Sequence, residues 1–177
     1  MVNYHAPNSP SVSTDDFVAI QRLVHRYADA VVHRDAAQWG SCWAPDAQWD
    51  LGRGRKVNGS TAIVELWTTA MAGMEAVVQT VDNGDAWYTS LGGSHAAAGR
   101  WYITETFLRA AQGDLPAQPG ILRAHYDDSY VRDGNGWRFR NRVLQVHYQG
   151  PPDLTAPFLN TAAKLSVAAD EVAAADA

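Results

Sequence analysis

Glu105 is the residue in this 177-residue chain whose type and setting best suit chemistry. It stands in Gly99-Arg100-Trp101-Tyr102-Ile103-Thr104-Glu105-Thr106-Phe107, a run with the period of two expected of a strand. Trp101, Ile103, Glu105 and Phe107 share one face, and Arg100, Tyr102, Thr104 and Thr106 share the other. The first set is the more apolar and should face the core, which leaves a carboxyl among aromatic rings. Desolvation penalises its charged form and lifts its pKa toward neutrality, as a general acid or base requires. The ordinary alternative is an inward Glu neutralised by a structural Arg or sitting at a rim.

The tetrad Asp133-Gly134-Asn135-Gly136 contains both Asp-Gly and Asn-Gly, the strongest short-range hairpin signal. Either turn pairs an even-numbered residue before it with an odd-numbered one after it. One face then carries Ala124, Tyr126, Asp128 and Tyr130 with Trp137, Phe139, Asn141, Val143, Gln145 and His147. The other carries Arg123, His125, Asp127, Ser129 and Val131 with Arg138, Arg140, Arg142, Leu144 and Val146, a charged outer face on which Asp127 could pair with Arg140 or Arg142. The aromatic face, with a few polar groups embedded in it, has the makings of an apolar pocket. His147 on that face is read as a proton carrier or as a polar cap at the pocket mouth. A β-bulge in these strands would exchange the two faces.

The elements that must hold these residues follow from periodicity. Residues 1–14 form an arm rich in Pro, Ser and Asn, expected to be mobile. Ser13 and Asp16 have capping-box spacing, and Phe17, Ile20, Val24, Tyr27 and Val31 mark one face of a helix running to about Arg34. Arg22, Arg26, Asp29 and His33 fall opposite, so Asp29 is read as a solvated surface charge. A short helix over Asp35–Trp43, a strand over Ala47–Leu51, and a third helix capped by Asn58 or Ser60 and bearing Ile63, Leu66 and Trp67 come next. Strands are expected at Ala76–Val81, Asp85–Leu91, Ala96–Arg109, Ile121–Arg132 and Trp137–Tyr148. Helices first and a meander afterwards predicts an α+β fold, a curved antiparallel sheet packed by three N-terminal helices into a cone with a central pocket. Residues 15–150 form that domain, and 151–177 are a C-terminal extension whose apolar patch, Leu154 to Leu159, is expected to cover a pocket mouth.

Composition narrows the partners. A formal charge of -5, from 14 Lys and Arg against 19 Asp and Glu, argues against nucleic-acid binding. No apolar run approaches the roughly 20 residues of a membrane-spanning helix, and no secretory signal opens the chain. A cytoplasmic protein without membrane or nucleic-acid partners is expected. The single cysteine excludes an internal disulfide and paired-thiolate metal sites, and the six His lack ligand spacing, so no metal is expected. Seven Trp, seven Tyr and four Phe suit a filled core or an apolar ligand cavity, with Trp49 and Trp67 expected among its lining.

The ordered strings Arg26–Asp35 (RYADAVVHRD), Trp43–Gly52 (WAPDAQWDLG), Gly99–Glu105 (GRWYITE) and Asp133–Arg142 (DGNGWRFRNR) resemble the SnoaL-like branch of the nuclear transport factor 2 superfamily over residues 15 to about 150. The branch includes polyketide cyclases, scytalone dehydratase, bile acid 7α-dehydratase and hexachlorocyclohexane dehydrochlorinase, all cofactor-free. It also includes non-catalytic relatives and small subunits of ring-hydroxylating dioxygenases. The resemblance implies a conical pocket, a pocket acid at Glu105 as in the bile acid dehydratase, a helix-one tyrosine at Tyr27, and a homo-oligomer, trimeric or dimeric. It also implies a His–Asp dyad that is missing here. Val32 stands at the acid position, and Thr80, Val81 and Asp82 stand at the histidine position.

The expected function is a cofactor-independent lyase or isomerase, dehydratase- or cyclase-like, acting on a hydrophobic cyclic substrate. Glu105, His147 and Tyr27 would be catalytic, and Trp101, Ile103, Phe107, Tyr126, Asp128, Asn141, Trp49 and Trp67 would bind substrate. The alternatives are a small-molecule-binding module of the same fold and an assembly protein such as an oxygenase small subunit.

Overall fold

A computed structural model describes residues 10–89 and 95–159. Ser13 caps the first helix, α1 (Thr14–His33), by accepting from the Asp16 N–H at 3.2 Å, and Arg34 ends it in the left-handed conformation at φ 55°. Ile20, Val24, Tyr27 and Val31 are buried as their spacing predicts, and Asp29 is exposed. Asp35 caps the short α2 (Ala36–Ser41) through the Gln38 N–H at 2.9 Å. The chain then turns directly into β1 (Trp43–Asp50), so this strand starts earlier, and α2 ends earlier, than periodicity suggested. A short strand that periodicity did not reveal, β2 (Lys56–Asn58), precedes α3 (Ser60–Ala72). Gly59, at φ 83°, sits at the cap of α3 where Asn58 or Ser60 was expected.

Four long strands follow: β3 (Met74–Tyr88), β4 (Ala96–Arg109), β5 (Gln118–Asp133) and β6 (Gly136–Gly150). The two strands expected at Ala76–Val81 and Asp85–Leu91 are one strand as far as Tyr88, bulged at Asp82, because pairing passes from Val81↔Ile103 to Asn83↔Tyr102. The remainder of that second strand, and the Ala-rich end of the extension, lie outside the described residues. Sheet order is β2-β1-β6-β5-β4-β3. β1 runs parallel to β6, which makes the sheet mixed where an antiparallel one was expected. The α+β architecture otherwise stands as predicted, with the helices against the concave face of a curved, unclosed sheet.

Glycines let large rings seat themselves on that curved face. A Cβ on Gly84 would come within 2.4 Å of the Trp101 ring, and one on Gly120 within 2.4 Å of the Phe107 ring. Part of the N-terminal arm is anchored: Tyr88 N–H donates to the Pro10 carbonyl at 2.9 Å, and Ser11 bridges to Trp87. Among the described residues no helix is long and apolar enough to cross a membrane.

Candidate active site

The hairpin turn pairs Asp133 with Gly136, and the expected parity holds as far as Tyr130↔Phe139. The register then shifts: Ser129 pairs with Asn141, leaving Arg140 as the extra residue of a bulge. From there on, β6 shows each face the residues expected on the other. Arg142, Leu144 and Val146 join Asp128, Tyr126 and Ala124 on the concave face. Asn141, expected to bind substrate, is exposed on the convex side and donates to Ser129 Oγ at 2.9 Å. His147, expected beside Glu105, is itself the extra residue of a second shift, between Ala124↔Val146 and Arg123↔Tyr148. Its ring lies on the convex face against His125, with ring nitrogens 2.7 Å apart. Glu105 and His147 therefore stand on opposite sides of the sheet.

β4 keeps its alternation. Trp101, Ile103 and Phe107 are buried on the concave face, and Glu105 is part-buried between Ile103 and Phe107. Glu105 faces Gln79 across the β3–β4 pair, and Gln79 Nε2 donates to Glu105 Oε2 at 2.8 Å. Burial raises the Glu105 pKa, and the Gln79 hydrogen bond opposes it without cancelling it. Gln79 Oε1 is buried without a hydrogen-bond partner among the described residues, so this amide has an acceptor to spare. Sequence reading missed Gln79, although its signal was there: it alternates with Val77 and Val81 on the inner face of β3.

Tyr27 of α1 and Tyr126 of β5 pack edge to face, with centroids 6.3 Å apart. Burial pushes the pKa of both phenols up, and the negative charge of Glu105 acts on both in the same direction, which places all three in one electrostatic neighbourhood. Arg142 lies beneath them. Its guanidinium carbon is 4.2 Å from the Tyr27 ring centroid, 3.9 Å from that of Tyr126 and 4.0 Å from that of Phe139. Its Nε and Nη2 reach the two oxygens of Asp128 at 2.8 and 3.2 Å, and Tyr130 Oη donates to the same carboxylate at 3.0 Å. Burial works against the Arg142 charge, but Asp128 together with Tyr27, Tyr126 and Tyr130 outweighs it and holds the guanidinium pKa above its ordinary value. Arg142 Nη1 keeps a proton without an acceptor among the described residues. The opposite-face expectation hid Arg142, and Asp128 proves to be its ion-pair partner.

The other end of the cone is filled. Trp49 and Trp67 both pack on Trp39, the latter stacked at 4.7 Å, and Trp43 closes the cluster. Trp101 donates its indole N–H to Tyr130 Oη at 2.9 Å. A cavity of about 390 Å³ lies at the strand ends, one row beyond Glu105, lined by Phe107, Arg109, Gln118, Gly120, Gln149 and Pro151. Among the described residues no group of three or more His, Cys, Asp or Glu could hold a metal ion. The extension packs on the convex face, where Phe158 meets Tyr148 at 4.9 Å and the Leu159 N–H donates to the His147 carbonyl at 2.8 Å.

The fold has counterparts among solved structures. A scytalone dehydratase-like protein of Novosphingobium aromaticivorans superposes with a TM-score of 0.68 at 16% identity, over 82% of this chain and 93% of that one. Hexachlorocyclohexane dehydrochlorinase LinA-type3 of Novosphingobium barchaimii superposes at 0.66 and 19% identity, over 81% and 93%. A dehydratase-like protein of the NTF2-like family from Streptomyces avermitilis does so at 0.62 and 12%, over 75% and 97%. No protein of curated function matches the chain by sequence. Residues 12–143 match the SnoaL-like domain, so the chain belongs to the SnoaL-like family, with the NTF2-like fold.

Proposed function

We propose that the protein is a lyase or isomerase that moves protons on a hydrophobic cyclic substrate, with Glu105 as general base and then general acid. Glu105 itself carries the reading: a part-buried carboxyl on the concave wall, pKa raised by burial, its charge felt by two buried phenols, and one row from open space. As carboxylate it takes a proton from a carbon next to a substrate carbonyl, and as acid it returns the proton to a departing oxygen. Tyr27 and Tyr126 keep their protons because burial raises their pKa values, so they can donate to the substrate oxygen. Arg142, stacked behind both rings, favours negative charge at that oxygen. Side chains alone suffice for such a transfer, so the reading invokes no cofactor. The names dehydratase and dehydrochlorinase carried by structural neighbours denote eliminations, which are steps of this kind.

The test is product analysis with cyclic hydroxy-ketones. Glu105→Gln should lower kcat/KM by about 10²–10⁴-fold, the usual contribution of a positioned proton-transfer group. Unchanged turnover in that variant removes Glu105 from the chemistry. A ligand-binding module is the second reading, favoured by the partner of Glu105 being Gln79, a neutral amide, and not a second titratable group. Thermal stabilisation by the same compounds without product would select it.

A further inference from the structure

The convex face holds a second polar cluster that the proposed reaction does not use. His125 of β5 is buried, and its Nε2 lies 3.5 Å from Asp127 Oδ2 with no closer partner among the described residues. Arg100 secures the other oxygen of Asp127 at 2.6 Å, which keeps that carboxylate ionised. An ionised carboxylate only accepts hydrogen bonds, so His125 Nε2 must carry a proton; a lone pair there would face negative charge inside the protein. In the neutral imidazole with its proton on Nε2, His125 Nδ1 is an acceptor. Its 2.7 Å contact with His147 Nε2 requires the proton to come from His147. The relay leaves the lone pair on His147 Nδ1, which has no partner among the described residues.

Beside His147 is a cavity of about 250 Å³ lined by Asp82, Tyr102, Arg123, His147 and Phe158, together with Ile103 and Ala124. The Tyr102 ring lies nearly parallel to His147, 15° between planes and 6.1 Å between centroids. Phe158, from the C-terminal extension, supplies a second aromatic wall. Arg123 is exposed and makes no ion pair among the described residues, whereas the Asp82 carboxylate already accepts from Thr80 and Thr104 at 3.2 and 2.8 Å. The cavity thus offers one acceptor, one cation and two aromatic surfaces, in a space of single-ring size: an apolar cavity of roughly 150 Å³ already holds benzene.

We propose that this is a binding site for a small aromatic acid bearing a hydroxyl, its ring against Tyr102 and Phe158, its carboxylate on Arg123 and its hydroxyl donating to His147 Nδ1. The site lies across the sheet from Glu105 and does not depend on the reading of the cone.

The experiment is a titration of the full chain with 4-hydroxybenzoate near neutral pH, read by nitrogen-15 NMR of the histidines. In the free protein both rings should show the Nε2-protonated pattern. The ligand should shift His147 Nδ1 saturably, and benzoate, which lacks the donor, and phenol, which lacks the charge, should bind at least about 10-fold more weakly. Arg123→Gln and His147→Phe should each weaken 4-hydroxybenzoate by about 10-fold or more, and Glu105→Gln should leave it unchanged. Because Arg123 is exposed, its variant remains informative even if His147→Phe fails to fold. An Nδ1-protonated His147 in the free protein, no saturable shift up to about 10 mM, or undiminished binding to Arg123→Gln overturns the proposal.

Discussion

Gln79 Nε2 and Glu105 Oε2 meet at 2.8 Å across β3 and β4, and this contact is what restrains the basicity that burial confers on the carboxylate. A hydrogen bond donated to a carboxylate favours its charged form and so holds the pKa down. Gln79→Leu should therefore move the Glu105 pKa further up, and a pH–rate profile that depends on ionised Glu105 should shift its acidic limb in the same direction. Carbon-13 NMR of the Glu105 carboxyl checks the first part independently of any substrate. A pKa that falls, or does not move, contradicts the account.

The same carboxyl sets a pH dependence of stability. Its folded pKa is raised, so the folded chain holds the proton more tightly than the unfolded chain does. The favourable contribution is complete below the unfolded value of about 4.3 and is lost as pH rises through the folded one. Glu105→Gln, which is neutral throughout, should melt above the parent protein in mildly alkaline buffer, with the gap closing near pH 4. Differential scanning calorimetry across that range decides it.

The concave assignment of Trp101, Ile103, Glu105 and Phe107 was legible because β4 itself carries no extra residue there: it pairs with β5 residue for residue, and the bulge in its pairing with β3 falls at Asp82 on the β3 side. Alternation along one uninterrupted strand is local information. β6 was not legible beyond Phe139, since Arg140 occupies a bulge that no residue type announces; its side chain is exposed and pairs with Asp46 at 2.9 Å. That single extra residue moved Arg142 to the centre of the cone and, with the second shift at His147, put the His147 ring on the convex face. The parallel β1–β6 pairing was equally hidden, because contacts between the first and last strands depend on how the intervening chain closes and leave no periodic trace. Gln79 was overlooked for another reason: a Gln between two valines reads as an ordinary strand residue until its partner across the pair is known.

Arg142 and Asp128 are both almost completely buried, so each depends on the other. Removing one partner of such a pair leaves an uncompensated charge and costs about 3–5 kcal/mol. Arg142→Met and Asp128→Leu should each destabilise by that order in urea unfolding. The double variant should cost less than the two single losses together, because neither charge is then stranded. Strict additivity would mean that the pair is not coupled in the folded protein.

Asp16 provides the counterpart with the opposite sign. It is buried at the start of α1, where it accepts from Tyr88 Oη at 2.6 Å, Arg132 Nη1 at 2.9 Å and Trp137 Nε1 at 3.0 Å, tying the helix to β3, β5 and β6. Burial pushes its pKa up, but the hydrogen bonds from Tyr88 and Trp137 and the charge of Arg132 outweigh that, and the net direction is down. The stability it confers is therefore present above the unfolded value of about 3.9 and is lost as pH falls through the lower folded one. Asp16→Asn should cost about 1.5–3 kcal/mol at neutral pH, the range for hydrogen bonds to a charged group, and progressively less below about pH 4. The exposed neighbour Asp15, substituted in the same way, should change little at either pH. Urea unfolding of the three proteins at neutral and acidic pH separates the two residues: a deficit in Asp16→Asn that persists undiminished in acid would trace to lost shape or packing, and the charge-anchored start of α1 would have to be abandoned.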